Sequence, residues 1–241
     1  MNFLKAEWRK LAIINYEINP GILIKYLPEG TELDFYNGKC YISLVGFMFL
    51  NTRLLGLPIP FHRNFEEVNL RFYVRKKEGN EWKRGVVFIK EIVPKPALSF
   101  VANSVYKENY KTMPMKNLMH KKDNELLIKY SWKDKTWHSI EITAENTPLQ
   151  MEDNSEFEFI TEHYFGFTKN ENKTSEYEVY HPKWEYYLVK NHRLKINFKK
   201  IYGNDFEYLK HQKPISVMLA EGSEIMVKTK KYLSKVINSK K

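Results

Sequence analysis

The sequence holds a single cysteine, Cys40. An intramolecular disulfide is therefore excluded, and a lone thiol suits a reducing compartment, so a cytoplasmic location is expected. Cys40 opens an apolar run that ends at Leu50. It reads as a buried, inert thiol, because reactive thiols need exposure and nearby positive charge. Glycine is scarce as well, at 10 residues in 241. No GxGxxG or GxxxxGK[ST] loop is present, which removes the usual phosphate cradles, and no GxSxG elbow points to a hydrolase triad. The histidines (His62, His120, His138, His163, His181, His192 and His211) form no HxH or HExxH pair, so neither a metal nor a cofactor is expected. His181, before a strand, reads as a histidine that ties a turn. The longest apolar run, near Leu44 to Leu50, is far shorter than the ~20 residues a helix needs to span a bilayer. Met1 to Lys10 lacks the apolar centre of a signal peptide.

Arginine is the scarce base. Only 7 of the 39 basic residues are Arg, although the net charge is +10. Phosphate and base recognition favours the Arg fork, and the lysines are spread along the chain among 29 acids. A solvated charged surface is the expectation, with no nucleic-acid partner. The basic stretch Lys228 to Lys241 keeps a module for nucleic acid or an acidic partner as a third class of function.

What the chain does have is strands. Aromatics reach 15%, and flat rings suit a pleated surface. Lys39 to Leu50 is apolar on both alternating faces and so predicts a strand buried on both sides. Glu67 to Arg75 and Gly85 to Ile92 flank a Glu78-Gly79-Asn80 turn and predict a hairpin. A second hairpin is expected from Glu125 to Trp132 and Thr136 to Ala144. Trp184 to Phe198 alternates again, with a bulge or turn at Asn191-His192. Helices are short. Asn19-Pro20 predicts a cap and first-turn proline. Pro96 to Tyr106 places Ala97, Leu98, Val101, Ala102 and Val105 on one face. Ser155-x-x-Glu158 predicts a capping box, with Phe157, Ile160 and Tyr164 buried and Gly166 as the stop. A further short helix is expected near Asp205 to Lys210. No linker or repeat divides the chain, so residues 1–241 read as one domain, mainly β or α+β, with a curved sheet.

The informative strand is Asn64-Phe65-Glu66-Glu67-Val68-Asn69-Leu70-Arg71-Phe72-Tyr73-Val74-Arg75. Period-two alternation puts Glu67, Asn69, Arg71 and Tyr73 in one row and Val68, Leu70, Phe72 and Val74 in the other. The row is either a solvated strand face with cross-strand ion pairs or the polar wall of a pocket. In a pocket, a carboxylate beside a guanidinium could orient a small acid or carbonyl compound.

This stretch, with Arg84-Gly85-Val86-Val87-Phe88 and Glu178-Val179-Tyr180-His181-Pro182-Lys183-Trp184, resembles the bacterial domain-of-unknown-function family numbered 2071. Leu27 to Asp34 and Ser216 to Glu224 fit the same pattern. The resemblance implies an acetoacetate-decarboxylase-like fold: a curved antiparallel β barrel around a cavity, with a few short peripheral helices. Such decarboxylases use a lysine pair, one of which forms a Schiff base. With Val105-Tyr106 as the anchor, the nucleophile position is Tyr110 and its neighbour Lys111, so the lysine pair is missing and an active acetoacetate decarboxylase is not expected. The resemblance supports Glu67 as a pocket-facing acid. Pocket candidates are therefore Glu67, Asn69, Arg71, Tyr73, Tyr110 and Lys111, with Tyr106 and Lys107 at the margin. The leading expectation is a cavity that binds a small organic acid or carbonyl compound. The alternative is a lyase, hydrolase or isomerase that uses Glu67 as acid/base, Arg71 as clamp, and Tyr110 or Lys111 as proton donor.

Overall fold

The computed structural model describes residues 2–170 and 173–233. Its main strands are β1 (Asn2–Glu17), β2 (Lys39–Leu54), β3 (Phe65–Glu78), β4 (Glu81–Val93), β5 (Tyr110–Thr112), β6 (Met115–Lys122), β7 (Glu125–Lys133), β8 (Trp137–Leu149), β9 (Phe165–Asn170), β10 (Lys173–Tyr180), β11 (Tyr186–Lys195) and β12 (Ser216–Lys228). Neighbours run β10-β9-β4-β3-β2-β1-β12, and a short ladder between β10 and β12 returns the sheet on itself: Val179 faces Val227 and Tyr180 faces Met226. From β12 the sheet continues through β11, β8 and β7 to β6. The expected curved, mainly antiparallel sheet with short helices is what forms. The ring closes through a two-pair seam, and β4 pairs in parallel with β9 and β5, so it is not a regular barrel.

Two cores explain why β2 is apolar on both faces and why β3 is buried on both. Ile14, Leu44, Leu70, Phe72, Ile128, Trp132 and Ile142 share one cluster, which joins β1, β2 and β3 to the β7–β8 extension. Leu11, Ile13, Val45, Phe47, Tyr73, Val93 and Trp184 share another, inside the ring. Each large side chain so buried contributes about 1.5–3 kcal/mol. Two irregularities shift which residues face inward. Lys10 adopts a left-handed conformation (φ 56°) where the β1–β2 register slips. On β4, Leu70 lies opposite Lys90 but Arg71 lies opposite Phe88, so Ile89 is an extra residue, the signature of a bulge.

The helices are α1 (Pro20–Leu23), α2 (Pro96–Val101), α3 (Glu156–Thr161) and α4 (Phe198–Tyr202). The Asn19 side chain caps α1 by accepting from the Gly21 N–H at 2.9 Å. Helix α2 runs on into a π-helical turn, Ala102–Tyr106, which Lys107 ends with φ 56°. At α3, Ser155 Oγ accepts from the Glu158 N–H at 3.1 Å. The returning carboxylate takes the Asn154 N–H (2.6 Å), where a capping box would use the Ser155 N–H.

Two expectations are corrected. Helix α3 stops at Thr161, before Tyr164, and Gly166 belongs to β9, where an added Cβ would lie 2.1 Å from the Tyr177 ring. The strand expected to reach Phe198 stops at Lys195, because Asn197 caps α4 by accepting from the Lys200 N–H at 3.0 Å. The irregularity in β11 falls beside Asn191, where Thr143 and Ala144 lie opposite Asn191 and Val189. Cys40 is buried, and burial pushes its thiol up to about 11. Most of the basic stretch Lys228 to Lys241 lies outside the described residues.

Candidate functional site

The ring holds a partly open cavity of about 360 Å³, with walls built largely from Trp8, Phe47, Phe49, Phe65, Val86, Val93 and Trp184. Helix α2 borders it with Ala97, Leu98 and Val101, and the π turn with Ala102, the face read from the sequence except for Val105, whose side chain is outside the described residues. Into this apolar space β3 projects Glu67, Asn69 and Arg71, which keep only 3%, 1% and 8% of their surface exposed. Val68, Leu70 and Phe72 alternate to the other core. Tyr73 continues the inward row but lies beyond the cavity lining. Its hydroxyl is 2.7 Å from Ser43 Oγ and its ring packs on His163. Arg75 emerges at the edge and pairs with Glu32.

Tyr110 is held by its own backbone. Asn103, on the π turn, donates to the Tyr110 carbonyl (2.9 Å) and accepts from the Tyr110 N–H (2.8 Å). The phenol then donates to Glu67 Oε2 at 3.1 Å, while Asn69 Nδ2 donates to Oε1 at 3.0 Å. Lys111, one residue along β5, is exposed, and so is Lys107; neither lines the cavity. The opposite direction of successive side chains on a strand accounts for Lys111. The Tyr106 side chain lies outside the described residues.

Glu91, Glu108, His163 and His181 also line the cavity and were not among the sequence candidates. Simple alternation from Val86 and Phe88 would turn Glu91 outward; the bulge at Ile89 turns it in. An acid inside the apolar run Val86 to Val93 was the available signal. Glu108 sits just past the left-handed Lys107 and accepts from Thr168 Oγ1 at 2.5 Å. His181 ties its turn as expected, through Nδ1 to the Pro182 carbonyl (2.9 Å), and stacks on Trp184 at 4.1 Å. His163 Nε2 donates to Asp34 Oδ2 at 3.1 Å, and Arg84 Nε donates to the same oxygen at 2.7 Å.

Burial away from bulk water disfavours charge. It pushes the Glu67 carboxyl up to about 7, against the hydrogen bonds from Asn69 and Tyr110 and the Arg71 charge. Glu108 rises to about 7 for the same reason, opposed by Thr168. Glu91 is pushed well above the carboxylate range, by burial and then by Glu108 and Glu67. Burial drives the two histidines down to about 4, so both are neutral near pH 7. The site can therefore offer protonated carboxyls and a phenol as donors beside one permanent cation. Among the described residues, six buried polar atoms of the lining have no partner: Arg71 Nε, Asn69 Oδ1, Glu91 Oε2, His163 Nδ1, Trp8 Nε1 and Thr52 Oγ1. Among the described residues no His, Cys, Asp and Glu group is arranged to hold a metal, and no helix is long and apolar enough to cross a membrane.

The arrangement has relatives. A curated protein, the uncharacterized protein YqjF of Bacillus subtilis (strain 168), is 28% identical over 82% of this chain and 79% of its own length. Among solved structures, acetoacetate decarboxylase from Legionella pneumophila superposes with a TM-score of 0.68, covering 96% of this chain and 87% of its own, at 15% identity. The enduracididine biosynthesis enzyme MppR, complexed with pyruvate, superposes with a TM-score of 0.67, covering 97% and 91%, at 10% identity. These likenesses show the fold. With its family profile matched over residues 5–224, the chain belongs to the family of uncharacterized conserved proteins termed domain of unknown function 2071.

Proposed function

We propose that residues 1–241 work as a single domain in the cytoplasm, and that the cavity binds a small organic acid bearing a carbonyl group. The observation that carries this reading is the set of unpaired polar atoms on Arg71, Asn69, Glu91 and His163 around one apolar space. An unpaired buried donor or acceptor costs about 1–3 kcal/mol, and a ligand that supplies the missing partners recovers that cost. Arg71 pairs with the carboxylate. Glu67, protonated up to about pH 7, donates to the carbonyl oxygen, and the aromatic walls exclude water. A carboxyl poised near the working pH also suits acid–base catalysis, which favours an enzyme over a passive carrier. The reading does not run through an imine, since Tyr110 occupies the place the resemblance gives to the reactive lysine. Pyruvate, named with one structural neighbour, is the first compound to try. Titration followed by the fluorescence of Trp8 and Trp184 is expected to saturate, and Arg71→Gln to weaken binding about ten- to a hundredfold, the range for a hydrogen-bonded charge. Equal affinity in Arg71→Gln, or no saturable change with pyruvate or acetoacetate, removes the reading.

A further inference from the structure

We propose that His163, oriented by Asp34, is a catalytic base on the cavity wall, and that the bound carbonyl compound is enolised there. The proposal rests on the ligand reading above and adds a reaction to it.

The first step is the tautomer. Asp34 is 4% exposed and receives both His163 Nε2 and the Arg84 guanidinium on one oxygen, Oδ2. The Arg84 cation keeps that carboxyl ionised, so it can only accept. Nε2 must therefore carry the ring proton, and Nδ1 is left with a lone pair. That Nδ1 is buried, has no partner among the described residues, and belongs to a residue that lines the cavity. The ring cannot swing away: Tyr73 packs on it at 4.8 Å and Phe159 meets it edge-on at 5.0 Å. A histidine kept only for packing gains nothing from a carboxylate that fixes its tautomer and leaves the other nitrogen without a partner among the described residues.

The second step is position. Helix α3 ends just before His163, and the carbonyl of its Ile160 accepts from Arg71 Nη2 at 3.4 Å. The anion clamp and the base are thus anchored to one turn, while the Glu67 and Tyr110 donors come from β3 and β5. A 2-oxo acid clamped through its carboxylate carries its carbonyl and the adjacent C–H between these groups. His163 Nδ1 takes the proton from that carbon, and the C–H electron pair becomes the C=C bond. The carbonyl π pair moves to oxygen, which takes the Glu67 proton. The products are the enol, an imidazolium held by Asp34, and the Glu67 carboxylate. Reversal restores the ketone. No oxidant or further reactant is required.

The test is deuterium exchange at the methyl group of pyruvate, followed by proton NMR in heavy water. The wild-type protein is expected to accelerate exchange about a hundredfold over buffer, within the range of a positioned base. His163→Gln, whose amide can still donate to Asp34, should fall to the buffer rate even at pyruvate concentrations that saturate the variant. Asp34→Asn, at a positioning residue, should slow exchange and shift the ring tautomer. A His163→Gln variant that binds and exchanges like wild type overturns the proposal. So does a nitrogen-15 spectrum that places the His163 proton on Nδ1. Failure of wild type to bind pyruvate counts against the ligand reading, and the nitrogen-15 spectrum then judges the dyad without any ligand.

Discussion

Glu67 is a carboxyl group whose ionisation the cavity opposes. Its folded value, about 7, lies above the ordinary 4.5, so the folded protein holds this proton more tightly than the unfolded chain. The associated stability is fully present below about pH 4.5 and is lost as pH rises through about 7. Glu67→Gln removes the ionisation and keeps the shape. It is expected to leave stability near wild type at pH 4.5 and to raise it by on the order of 3 kcal/mol at pH 8, measured by urea denaturation at both values. A pH-independent difference would mean that the buried carboxylate forms without penalty. A second outcome at this scale concerns Tyr110. A phenol forms no imine, and Lys107 and Lys111 lie outside the cavity lining, so acetoacetate with borohydride should leave no reduced adduct on either lysine; peptide mapping checks this, and an adduct on Lys107 or Lys111 would sink it.

Strands β4 and β9 meet where Gly85 lies against Phe165, and an added Cβ would sit 2.4 Å from the Phe165 carbonyl oxygen. Gly85→Ala must push the two strands apart at the parallel joint of the ring. A loss of about 2–4 kcal/mol is expected, together with weaker ligand binding, because Val86 and Phe165 both line the cavity. Thermal melting and the tryptophan titration read the two effects. Elements of this kind also show what the sequence makes legible. The hairpin around Gly79-Asn80 and the paired faces of β3 follow from alternation alone, so Glu67, Asn69 and Arg71 could be placed together. Glu91 could not, because one extra residue at Ile89 reverses the alternation without any marker such as glycine. His163 was equally hidden: its partner Asp34 is brought to it by the packing of distant segments. Tyr73 was placed in the right row but not at the right depth, since alternation gives direction and not position along a curved wall.

For the whole molecule, the excess of 10 positive charges is spread over surfaces that also carry acids, as in the pairs of Lys83 with Glu78 and of Lys183 with Asp153 and Glu158. At ~0.15 M salt such exposed charges are screened within about 8 Å, so a gel-shift with duplex or single-stranded nucleic acid is expected to show no tight, sequence-selective retention. The ring has another consequence, in time rather than in space. Strand β1 hydrogen-bonds to β2 on one side and to β12 on the other, with Asn2 opposite Lys228. During synthesis β1 is made first and one of its two edges must wait for almost the entire chain. Contacts this distant in sequence slow folding into the millisecond-to-second range or beyond. A ribosome-stalled chain that lacks Ser216 to Lys228 should therefore be cut rapidly by protease, and release of the full chain should be followed by a slow gain of resistance. The ring that forms the cavity also delays the moment at which the newborn protein is safe from aggregation.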